Sequence, residues 1–205
     1  MSWLKYYGSR GLASIIDMAR NTERRSALAD AGIRVLAEQG ARGLTHRAVD
    51  AVAGTPRGTA SNYFPSRDDL ISALVDRIGE RLMPDPTRMS SRAARTPDRD
   101  LFADYLRDVV RRLSTDPHVP LALFELRLEA ARRPAVAKAL GAWRQRAFED
   151  DVVFNNESGL PGGRTEIALF HYAIDGLMLD NLTAPIDSGL SVDAAIDQLV
   201  DRILR

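Results

Sequence analysis

Between Arg24 and Gln39, Ala27, Leu28, Ala31, Ile33, Val35 and Leu36 form a broad apolar stripe at helical spacing, and Gly40 follows as a stop signal. Thr45 then offers an N-cap for a short helix running to about Ala53, which Gly54 closes. Thr55-Pro56 permits a restart, because proline suits a first helical turn, so a second short helix is expected from Pro56 to about Tyr63. Ser66, with Asp68 and Asp69 behind it, caps a longer helix reaching about Leu82, along which Leu70, Ile71, Leu74, Val75 and Ile78 keep the 3.6-residue period.

The stretch "MPDPTRMSSRAARTPD" (83–98) breaks this pattern with three prolines and clustered Ser and Arg, and reads as a loop over 84–98 at a domain edge. Beyond it the apolar period returns in five more helices: 101–113, about 120–133, 134–155, 165–183 and 192–204. No segment alternates with period two, so the fold class expected is all-α, with about nine helices. Residues 1–17 share neither the charge pattern nor the period of the helices after them, while Met18 opens a sequence that looks like a natural start. Residues 1–20 are therefore set apart as a leader, disordered or of non-native start. Residues 21–67 form the first domain and 68–205 the second, with helix 66–82 connecting them.

Composition narrows the class. No run approaches the roughly 20 apolar residues that span a bilayer, and no apolar stretch near the start reads as a signal peptide. The absence of cysteine excludes disulfides and thiolate chemistry and suits a cytoplasmic setting. Net charge is zero but unevenly spread. Eight arginines face four acids between Arg20 and Arg67, whereas sixteen basic residues face nineteen acids from Met83 on. A basic first third points to a polyanionic partner for that part alone. No Gly-rich phosphate loop, nucleophile elbow, Cys/His pair or metal-spaced cluster is present, so the chain does not read as an enzyme, and neither cofactor nor metal is expected.

Two short helices joined by a tight Gly-containing turn and braced by a preceding helix describe a helix-turn-helix unit. Its second helix enters the DNA major groove, which favours short hydrogen-bonding side chains on its outer face. In "PRGTASNYFPSR", Arg57, Thr59, Ser61 and Asn62 supply that face, and Ala60 and Phe64, four apart, share the inward one. Tyr63 could pack its ring at the helix edge and turn its hydroxyl to a phosphate.

Residues 22–80 resemble the DNA-binding domain of the TetR family of bacterial transcription regulators. The resemblance rests on "AEQGARGLT", "THRAVDAVAG" and "PRGTASNYFPSRDDLISAL". Gly58, Thr59, Phe64 and Ser66 match the family pattern, with Arg67 in place of Lys. Ser61 stands where the family usually has Tyr, Tyr63 where it has His, and Asp50 where an Ala commonly packs. The resemblance implies Thr45, Arg47 and Arg67 near phosphates and Arg57, Thr59, Asn62 and Tyr63 at the groove, with Thr55, Gly58 and Ser61 completing the DNA-binding set. It also implies a helical C-terminal domain that binds a small-molecule inducer and dimerises.

A ligand pocket would lie between the later helices, with Phe102, Tyr105, Leu106, Val109, Phe124, Leu128, Trp143, Phe148, Phe170 and Met178 as candidate walls. His171 and Asp175, four apart, are candidate polar anchors. "IALFHYAIDGLMLDNL" is apolar nearly all round and must be buried on more than one side. A homodimer through helices 165–183 and 192–204 would cover the second side. The function expected is a sequence-specific DNA-binding regulator: a homodimeric repressor released from double-stranded operator DNA by an inducer. The alternative is a helical, non-enzymatic adaptor or small-molecule-binding protein without DNA readout.

Overall fold

The computed structural model describes residues 9–204, with side chains from Met18 onward. Among these residues all regular structure is helical, in ten helices: α1 (Ser9–Gly43), α2 (His46–Val52), α3 (Thr59–Tyr63), α4 (Arg67–Arg81), α5 (Pro86–Ala93), α6 (Arg99–Thr115), α7 (His118–Ala130), α8 (Pro134–Glu157), α9 (Arg164–Leu182) and α10 (Val192–Ile203).

Three boundaries differ from expectation. No proline interrupts Ser9 to Gln39, and α1 takes in residues 9–20 of the segment set apart as a leader; residues 1–8 lie outside the described residues. The stop at Gly40 is real, with φ of 67° breaking the helix near its end. The expected loop 84–98 contains α5, because Asp85 caps it by accepting from the amides of Thr87 (2.8 Å) and Arg88 (3.3 Å) and Pro86 occupies its first turn. The prolines there start a helix as much as they break one. α3 begins at Thr59 rather than Pro56, since Gly58 sits at φ 91°, a left-handed conformation no helix interior accepts.

The expected caps hold. Thr45 Oγ1 accepts from Ala48 N at 3.1 Å, and Ser66 with Asp69 forms a reciprocal capping box at the start of α4.

Two apolar cores organise the chain. The first gathers Leu28, Val35, Leu36, Val49, Ala60, Phe64, Leu70 and Leu74 from α1–α4, and continues into Val119, Leu123 and Leu126 of α7 and Val136 and Leu140 of α8. The packing is therefore continuous across the division expected at residue 67. The second joins α6, α8, α9 and α10 through Phe102, Val110, Val152, Phe170, Ile174, Met178, Ile196 and Val200. Polar ties run across the seam. Arg77 of α4 grips Asp30 of α1 at 2.8 Å, and Arg81 bridges Asp30 (3.1 Å) and Asp116 (2.8 Å).

Candidate nucleic-acid interface

α2 and α3 are held to α1 by buried side chains on one face and leave the other to solvent. Ala60 and Phe64 are fully buried, as their spacing predicts. Arg25 fixes the end of α3 from α1: its guanidinium donates to Tyr63 O at 3.1 Å and lies 4.8 Å from the Phe64 ring centre. His46 Nε2 lies 2.7 Å from Phe64 O, which can only accept, so that nitrogen carries the proton.

The outer face keeps most of the expected set. Thr45, Arg47, Arg57, Gly58, Ser61 and Asn62 are exposed, and Thr59 and Tyr63 are half-buried. Two hydroxyls on this face are also engaged locally. Thr59 Oγ1 donates to Pro56 O at 2.6 Å and Ser61 Oγ to Gly58 O at 2.9 Å, which leaves their lone pairs and methyl or methylene surface outward. Tyr63 rests its ring against the first core, and with Asn62 it faces Asn21, Thr22 and Arg25 across a shallow depression.

Two expected DNA contacts are turned inward. Arg67 donates to the carbonyls of Ala41 and Leu44, filling acceptors left where α1 breaks off at Gly40. Thr55 Oγ1 donates to Asp50 Oδ1 at 3.3 Å. Arg25, His46 and Asp50 organise the motif without having been singled out as site residues. Arg25 and His46 gave no sequence signal, since single polar residues on a helix usually face water. Asp50 gave one, a charge where a small residue packs.

A second feature lies between the connecting helix and the later ones: a cavity of about 570 Å³. Of the candidate wall and anchor residues, Phe102, Tyr105, Leu106, Val109, Trp143, Phe170, His171 and Asp175 line it. Phe124, Leu128, Phe148 and Met178 do not. Phe124 is half-buried beneath Arg127, and Leu128 is 56% exposed on the outside of α7. Phe148 is covered by Arg164 and meets His171 edge-on, and Met178 is packed in the second core. His171 and Asp175 are not partners. His171 Nε2 reaches Asp151 at 3.0 Å, while Asp175 is held by Arg127 (2.7 Å) and Arg144 (3.0 Å).

The wall also carries an ion cluster that gave no sequence signal. Asp108, 2% exposed, is held by Arg92 at 3.1 Å, by Arg112 at 3.0 Å and by Arg111. Burial alone would raise the Asp108 pKa, but hydrogen bonds and charge from these arginines outweigh it and hold the carboxyl below its ordinary value. Two residues of α4 and its end complete the wall: Trp143 packs so closely on Gly79 that an added Cβ there would fall 2.6 Å from its indole nitrogen, and Leu82 accepts from Arg112.

A family model described as "Bacterial regulatory proteins, tetR family" matches residues 28–74, and one described as "Tetracyclin repressor-like, C-terminal domain" matches residues 97–205, more than half the chain. The HTH-type transcriptional regulator BetI of Rhizobium meliloti (strain 1021) is 29% identical over 123 residues, spanning 60% of this chain and 60% of that relative. A TetR-family structure from Streptomyces coelicolor A3 (SCO1917) is 26% identical with a TM-score of 0.66, covering 89% of this chain and 99% of its own. The multidrug binding protein EbrR in complex with ethidium is also 26% identical, with a TM-score of 0.62, covering 89% of this chain and 99% of its own. Both halves match in chain order, and the chain belongs to the TetR family of bacterial DNA-binding transcription regulators.

Proposed function

We propose that the chain is a homodimeric repressor that reads operator DNA through α2 and α3 and releases it when a small molecule fills the cavity. The observation that carries the DNA reading is the outer face of the motif, where Arg47, Arg57, Ser61 and Asn62 are exposed together while Ala60 and Phe64 are fully buried. Arginines at its edges suit phosphates, and short polar side chains suit base edges. Thr45 combines its capping role with a phosphate contact. This reading places the protein in the cytoplasm with the DNA.

Release would act through α4. Gly79 of that helix and Leu82 at its end form part of the cavity wall, against Trp143 and Arg112. A ligand that favours one setting of these contacts shifts the population toward one setting of the helix-turn-helix units. EbrR is named with ethidium and imidazole bound, so aromatic nitrogen compounds are the first probes to try here.

Dimerisation is supported by α9. Ile167, Phe170, Ile174 and Met178 enter the second core, while Leu169, Tyr172 and Leu179 are exposed on the other side of α9, and Val153 is exposed on α8. Outward positions of α10 are Asp193, Asp197, Gln198, Asp201 and Arg202, so the dimer seam would be built from α9 and α8 more than from α10.

The test is binding to duplexes from the chain's own upstream region at increasing salt. A regulator loses affinity steeply with salt while keeping preference for one sequence. Absent or salt-insensitive binding rejects the proposal.

A further inference from the structure

The turn between α2 and α3 encloses one charged group that no DNA-facing role explains. Asp50 is 2% exposed, on the inner side of α2. No ion pair holds it among the described residues; its partners are neutral donors. Oδ1 accepts from Ala60 N at 2.7 Å and from Thr55 Oγ1 at 3.3 Å, and Oδ2 accepts from Gly58 N at 2.8 Å. These bonds offset what would otherwise be a costly buried carboxylate.

The direction of these bonds matters more than their number. α3 is five residues long, too short to hold its shape by internal hydrogen bonds. Its capping position is Gly58, which has no side chain to satisfy the first amides. A carboxylate reaching across from the preceding helix takes that role. Two bonds from one planar group to residues 58 and 60 fix how α3 is rotated against α2. Arg25 and His46 hold only the far end of α3, at Tyr63 O and Phe64 O, so without the Asp50 bonds its leading turn would be located by the apolar contact of Ala60, which resists sliding but holds rotation weakly. Ser61 and Asn62 project from the same turn.

We propose that Asp50 is a positioning residue for DNA readout: its carboxylate touches no DNA, but by clamping the Gly58 and Ala60 amides it sets which base edges Ser61 and Asn62 reach. This rests on the DNA-binding reading, and the experiment separates the two.

Full-length wild type, Asp50→Asn and Asp50→Ala each select duplexes from a randomised library. Affinities are then measured for the duplex that wild type enriches and for a scrambled one, over a salt series. Asp50→Asn keeps the size and one acceptor but turns an NH2 group toward the backbone. In both variants the ratio of enriched to scrambled affinity falls about tenfold or more, the loss of one good base contact. Scrambled binding and its salt slope stay as in wild type, because phosphate contacts are unaffected. Amide exchange checks the clamp without DNA: Gly58 and Ala60 are protected in wild type and exchange at least about tenfold faster in Asp50→Asn, while α1 and α4 keep their protection.

Three results overturn the proposal. One is an unchanged affinity ratio in folded variants. A second is an equal loss on both duplexes that tracks a lower melting temperature, which marks a purely structural role. The third is wild-type exchange at Gly58 and Ala60 as fast as in exposed loops, and it needs no variant to fold. If wild type enriches no sequence, the DNA-binding reading fails first and this one with it.

Discussion

The guanidinium of Arg112, on the cavity wall, donates to the carbonyl oxygen of Leu82, where α4 ends. Its Nε donates to Asp108 at 3.0 Å, so one side chain ties the end of the connecting helix to the ion cluster beside the cavity.

Arg112→Met keeps the apolar stem and removes both ties. Asp108 retains Arg92 and Arg111, so the expected loss is about 1–3 kcal/mol rather than collapse. Urea denaturation measures it, and an unchanged midpoint shows that the link carries no stability.

Arg67 distinguishes clamp from phosphate ligand. If it serves the Ala41 and Leu44 carbonyls, Arg67→Lys loses one of two bonds and lowers stability by about 1 kcal/mol, with Arg67→Ala worse. A phosphate contact alone predicts that Lys restores DNA affinity with no change in melting temperature.

For readout, Asn62→Ala relaxes sequence preference, whereas Arg47→Ala weakens all duplexes alike and lowers the salt slope by about one. Competition binding on matched and mismatched duplexes separates them. An unchanged preference in Asn62→Ala removes Asn62 from the readout set.

Acid stability depends on Asp30. Burial would raise its pKa, but hydrogen bonds and charge from Arg77 and Arg81 prevail and hold it below the ordinary 3.8. A carboxyl depressed in the folded state contributes stability that is complete well above 3.8 and lost as pH falls through the folded value. Asp30→Asn is therefore less stable than wild type near neutrality, by about 1 kcal/mol for this partly exposed network, and the gap closes in acid. Melting temperatures across pH check this; a gap that persists in strong acid contradicts it.

Tyr172→Glu places a charge in the middle of the exposed apolar strip of α9, where Tyr172 is 68% exposed. If the proposed dimer seam lies there, sedimentation should show a shift toward monomer, with operator affinity falling because paired half-sites need paired recognition helices. A variant that remains a dimer moves the seam elsewhere.

Helix periods and caps were legible because they are local. The stripe from Ala27 to Leu36, the Thr45 and Ser66 caps and the inward pair Ala60 and Phe64 each need only a few neighbours in sequence. The inward turn of Arg67 was not legible, because its acceptors at Ala41 and Leu44 are 26 and 23 residues away. The cavity was half legible. Aromatic residues at helical spacing marked Phe102, Tyr105 and Phe170, but the same pattern marked Phe148, which another helix's arginine covers. α5 was missed because proline and serine serve equally to end one helix and begin another.

The first core draws Val119, Leu123 and Leu126 of α7 against the helices of the DNA-binding motif. A fragment cut after α4 would leave the face of α1 that packs on α7 open to water. The DNA-reading end is therefore expected to lack a melting transition of its own, and heat or denaturant should take it apart together with the helices that wall the cavity.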